Sequence, residues 1–238
     1  WGIAYAVGPN YNYAWDDFDP ASLSSSLSVA RDARERAERL APRATDVEQA
    51  LIETLAARYP VPDATAGDQS WCDGHATAMR TAYRRFPDDL DVAALFAEAL
   101  MNVTPWQMWD LPTGLPAAGA HTLECREVLE RALATPGGRS HPGVLHLYIH
   151  LMEMSPTPEA ASEVGDLLRN LVPDAGHLRH MPSHIDVLTG DYQAVVDANQ
   201  AAYEADERYV AVEGVMNAYT QYRCHDLHFL VYGAMFVG

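Results

Sequence analysis

Apolar residues recur at three-and-four spacing through segments 28–40, 47–58, 75–86, 90–103, 122–134, 144–154, 160–171 and 192–205. That is the period of a helix with one buried face. Alternating β-branched runs, the mark of strands, are nearly absent. Pro42, Pro60, Pro87, the Pro136-Gly137-Gly138 turn, Pro156 and Pro173 fall between the segments. Proline ends a helix because it has no N–H to donate and its ring clashes with the turn before it. The pattern predicts an all-α chain with short connections.

The helices also repeat. Gly190-Asp191-Tyr192, followed by small residues at helical spacing and an acidic close, looks like the second helix of a tetratricopeptide repeat. With Gly190 in the repeat's glycine position, its first helix begins at Gly176. The preceding repeat then begins at Pro142 and closes at Pro173, a period of 34 residues. The same register puts first helices near 45–59, 90–104 and, with Gly238 in the glycine position, 224–238; residues 1–12 look like the end of another and its turn. Connections 60–70, 104–119 and 206–223 are longer than the repeat requires. The expected fold is a tetratricopeptide-like α-solenoid of stacked antiparallel hairpins. It forms one domain over 1–238, with hairpins near 1–42, 45–87, 90–136, 142–173, 176–206 and 224–238. Because Trp1 opens mid-pattern, the domain reads as truncated at both ends.

In this register ten histidines become informative. His146, His150 and Glu153 take positions 5, 9 and 12 of one repeat; His177, His180 and His184 take 2, 5 and 9 of the next; His225, His228 and Tyr232 take 2, 5 and 9 of the last. Steps of three and four place each set on one stripe of one helix. In tetratricopeptide folds that stripe lines the concave groove. First helices stacked at roughly 8–10 Å would aim these side chains at common points. Imidazole is the commonest transition-metal ligand, and histidines at i and i+4 can close on one ion. The expected ligands are His146, His150, Glu153, His177, His180, His184, His225 and His228, holding one or two ions. The nitrogen-rich set favours copper, with zinc open and iron served by His146, His150 and Glu153; magnesium and calcium want oxygen.

Glu98 takes position 9 one repeat earlier, as a candidate base, extra ligand or substrate contact, and Tyr232 is a second candidate substrate contact. His75 and His121 fall on second helices and read as structural, while His141 stands where it could cap a helix or reach the cluster. Trp106 and Trp109 lie in a connection that could form a lid, though core packing is the simpler role.

Composition narrows the chemistry. A net charge of −17 argues against nucleic acid and anionic membranes as partners, and no apolar run is long enough to span a bilayer. All 16 basic residues are arginine, which removes Schiff-base chemistry and lysine-dependent phosphate loops. Cys72, Cys125 and Cys224 are widely spaced and form no CxxC pair, as expected of a reducing, cytoplasmic setting.

His141-Pro-Gly-Val-Leu-His-Leu-Tyr-Ile-His-Leu-Met-Glu153, Gly176-His-Leu-Arg-His-Met-Pro-Ser-His184 and Cys224-His-Asp-Leu-His228 resemble the motifs of a group of bacterial tetratricopeptide-repeat proteins with histidine-rich helices. The opening Trp1-Gly-Ile-Ala-Tyr-Ala6 resembles theirs too. The resemblance implies an α-solenoid with these histidine-bearing helices and brings no assigned reaction. The leading expectation is a metalloenzyme that uses copper or iron to activate dioxygen on a small organic substrate. The alternatives are a zinc hydrolase with Glu153 or Glu98 as base, and a non-catalytic scaffold binding metal, a peptide or a protein in the groove.

Overall fold

The computed structural model describes residues 1–61, 64, 67–217 and 219–238; positions 62, 63, 65 and 66 of the 60–70 connection, and 218 of the 206–223 connection, lie outside the described residues. Among the described residues the chain is all-α, apart from a two-residue antiparallel pair (Trp109–Asp110 with Leu115–Pro116) and one isolated bridge. No described helix is long and apolar enough to cross a membrane. The chain divides into two compact units, Trp1–Ala132 and Leu133–Gly238.

The first unit carries α1 (Gly2–Ala6), α2 (Pro20–Leu40), α3 (Asp46–Arg58), α4 (Trp71–Arg85), α5 (Leu90–Met101) and α6 (Thr122–Ala134). Helix α2 starts eight residues before the apolar period becomes visible at Ser28, because Asp19 caps the Ala21 and Ser22 amides and Pro20 occupies the first turn. A reciprocal capping box of Thr45 and Glu48 opens α3. Helix α4 packs against both α3 and α5. A bidentate Arg80–Glu124 pair, 2.7 Å at both nitrogens, ties α4 to α6. In the 104–119 connection Trp109 is buried in the core and Trp106 is exposed.

The second unit comprises α7 (Pro142–Met152), α8 (Ser162–Leu168), α9 (Gly176–His180), α10 (Ser183–Thr189), α11 (Tyr192–Glu213) and α12 (Thr220–Val237). Helix α7 is its innermost element: Val144, Leu145 and every residue from Leu147 to Met152 are buried. The single helix expected from Gly176 to Thr189 is broken at Met181-Pro182. Pro182 has no amide hydrogen for the Leu178 carbonyl, and the chain tightens there, with the His184 N–H reaching back only three residues to Met181 O. Gly190, at φ +84°, ends α10 in the left-handed region that glycine enters without strain. Asp191 then caps α11. Arg169 grips Asp186 through both guanidinium nitrogens (2.9 and 3.1 Å), joining the end of α8 to α10.

Helix α11 turns a stripe of Val195, Ala198, Asn199, Ala202, Ala205 and Asp206 inward, and α12 packs against it. The approach is closest at Gly233, where an added Cβ would stand 2.7 Å from Val195 Cγ1 and 3.4 Å from Tyr192 O. Val195 is fully buried and β-branched, so it has little freedom to yield. Gly233→Val should therefore destabilise the protein by about 1–3 kcal/mol through overpacking. A denaturant titration checks this, and an unchanged midpoint would show that α12 can lift off α11 at no cost.

Candidate metal centre

Six histidines of the second unit converge. His141 opens α7 by accepting the Val144 N–H at Nδ1 (3.2 Å), so this histidine is a cap. One and two turns later His146 and His150 share a face, their rings 4.7 Å apart. Helix α9 brings His177 and His180, α10 brings His184, and α12 brings His225. They form two triads, His146–His150–His177 and His180–His184–His225, and within each the ligand nitrogens lie within 4.8 Å of one another. The triads adjoin, with the His150 and His184 rings 5.6 Å apart and those of His177 and His180 5.9 Å apart.

The inward nitrogens are Nε2. His146 and His177 Nε2 are 3.2 Å apart, His180 and His184 Nε2 2.7 Å, and His184 and His225 Nε2 3.5 Å. Two nitrogens bound at about 2.05 Å to one tetrahedral ion stand about 3.3 Å apart, close to two of these three distances.

The outward nitrogens explain why Nε2 faces in. His180 Nδ1 lies 2.6 Å from Asn199 Oδ1, and the Asn199 amide is oriented by donating its own Nδ2–H to Val195 O (2.7 Å). His150 Nδ1 lies 2.7 Å from Glu153 Oε1, and His184 Nδ1 contacts Glu153 Oε2. An amide oxygen and a carboxylate only accept. Each of these three imidazoles therefore carries a hydrogen on Nδ1 and turns its Nε2 inward. His180 Nε2 and His184 Nε2 face each other at 2.7 Å. A cation bound between them would bond to both. Outward donation to a carboxylate or amide oxygen is also the arrangement that fixes metal-ligating imidazoles.

The electrostatics agree. Burial, reinforced by neighbouring imidazoles, holds His146, His177 and His180 well below the usual histidine range, and burial with His184 lowers His225 to about 4. These four rings are neutral near pH 7, the form that binds metal. Burial alone would raise the Glu153 carboxyl, but His184 and His150 outweigh it and hold Glu153 ionised. Asp226 is fully buried, 3.5 Å from His180 Nδ1, and burial with Asp206 alongside raises it to about 8.

The remaining expected site residues lie elsewhere. His228, three residues beyond His225, is exposed and belongs to neither triad. Tyr232 is exposed, with its ring on Phe236. Glu98 belongs to the first unit, where it accepts the Tyr5 hydroxyl hydrogen at 2.6 Å. His75 is buried in that unit beside Tyr5, and His121 Nδ1 lies 3.8 Å from Glu124. Asn199 and Asp226 were not anticipated, nor was Phe229, whose ring lies 4.9 Å from those of His180, His184 and His225. For Asn199 the one signal was a polar residue in a largely apolar helical stripe. No family model, curated protein or solved structure matches the chain.

Removing a triad member should remove its ion. His150→Ala and His184→Ala should each lower metal uptake by about one equivalent per chain, measured by elemental analysis after loading, with the helical circular dichroism retained. His228→Ala and His75→Ala should leave uptake unchanged; a loss in either would place the ligands wrongly.

Proposed function

We propose that the protein is a metal-dependent oxidoreductase, built as a tetratricopeptide-like solenoid. In this reading two copper ions, one per triad, activate dioxygen for the oxidation of a small organic substrate. The observation that carries it is the inward convergence of Nε2 atoms from imidazoles whose Nδ1 hydrogens are committed outward. The 34-residue spacing of His146 to His180 and of His150 to His184 supports the repeat reading.

The donor set speaks to the metal. Imidazole nitrogen suits copper, zinc, iron and nickel, and the iron facial triad needs a carboxylate ligand as well. Both Glu153 oxygens are engaged by imidazole Nδ1 atoms, which leaves each triad all-nitrogen. The same engagement weighs against a zinc hydrolase, since the carboxylate best placed to act as base already holds two rings. Paired copper ions would supply one-electron couples that together pass two electrons from the substrate to dioxygen.

The chain's own groups set the approach. His150, His180 and His184 are buried, whereas His146, His177 and His225 are partly exposed and mark the side a substrate reaches. Tyr222, its ring 4.9 Å from that of His177, and Phe229 form aromatic walls there. His146, His177, His180 and His225, held neutral near pH 7 chiefly by burial, would let a cation bind to them without first displacing protons.

Elemental analysis of protein purified without a histidine tag, paired with an oxygen electrode, tests the reading. Copper at about two per chain, with dioxygen consumed only when an organic reductant is present, is expected. Zinc alone with no oxygen uptake would overturn the oxidoreductase and keep the metal centre.

A further inference from the structure

Glu153 closes α7 and stands between the triads with its side chain 8% exposed. Oε1 accepts from His150 of one triad and Oε2 from His184 of the other. We propose that this single carboxylate is a shared positioning residue, which sets the tautomer of one imidazole in each triad and so ties the two metal positions together. The inference rests on the metal-centre reading above.

The chemistry is one of acceptor counting. A carboxylate has two accepting oxygens and no hydrogen to give, so both rings must carry hydrogen on Nδ1 and present Nε2 to a metal. A glutamine there has one accepting oxygen and one donating amide. The ring facing the amide would have to accept at Nδ1, its hydrogen would move to Nε2, and that nitrogen would no longer bind an ion. Glu153→Gln therefore disables one triad and spares the other. Glu153→Ala removes the anchor of both. Asn199 provides the contrast, since its oxygen serves His180 alone, and Asn199→Ala should loosen only the second triad.

Titration of the whole chain with Zn2+ by calorimetry, and with Co2+ by visible absorption, reads these differences. The wild type should take about two tight equivalents. Glu153→Gln should keep one and weaken the other by about 10–100-fold, the usual cost of losing an outer partner of a ligand. Glu153→Ala should weaken both positions, and Asn199→Ala one. Thermal midpoints without metal separate these effects from unfolding. Two tight equivalents in Glu153→Gln, or only one weakened position in a folded Glu153→Ala, would overturn the coupling while leaving the metal centre standing. A wild type that takes up neither ion would overturn both.

Discussion

The histidine centre depends on which nitrogen of each imidazole carries its hydrogen. A neutral imidazole has one donor and one acceptor, and in a buried site each needs a use. Here acceptors are supplied only on the outside: the Glu153 carboxylate for His150 and His184, and the Asn199 oxygen for His180. The Nε2 atoms are left to the interior, where they stand 2.7–3.5 Å apart. Nε2 atoms from four helices crowd where a cation could bridge them, and this separates the cluster from histidines used as core filler.

The scaffold around the cluster holds those hydrogens in place. Helix α7 is nearly surrounded by apolar neighbours, which fixes His150 and carries Glu153 at its end. The break at Pro182 gives His184 its own short helix, α10, tied to the end of α8 by Arg169 and Asp186. The tight Gly233–Val195 approach sets α12 against α11 and delivers His225 within reach of His184. Side chains from four helices meet because packing fixes each of them independently.

Much of this was legible in the sequence, and the limits have physical causes. Histidines at i and i+4 of one helix share a face whatever the tertiary fold, so the His146–His150 pair was visible, whereas His180 and His184 meet across a break in the helix that their spacing does not foresee. Prolines and caps bounded most helices for equally local reasons. Asn199 was not visible as a partner, because its contact with His180 spans 19 residues and depends on how α11 lies. His225 and His228 looked equivalent, yet α12 meets its neighbours along a line through Tyr222, His225 and Phe229 that leaves His228 outside. Glu98 was placed by repeat position, which cannot reveal that the Tyr5 hydroxyl, 93 residues away, occupies it.

Charge bears on what such a centre would take as substrate. Two divalent ions in the triads would face one ionised carboxylate in contact with the rings, Glu153, since Asp226 at about 8 is largely protonated at neutral pH. The net charge of −17 is mostly solvated and screened beyond roughly 8 Å at physiological salt, so it neutralises the centre only weakly. The loaded pair would therefore be electron-poor in a buried, low-dielectric site, where an added anion gains far more than it would in water. Hydroxide, or an organic oxygen that has given up its proton, would meet that need. Had the ligands been carboxylates, the ions would have been neutralised by the protein itself and this preference would disappear. Under the proposed copper reading, an all-imidazole donor set would thus also favour a substrate that binds as an anion.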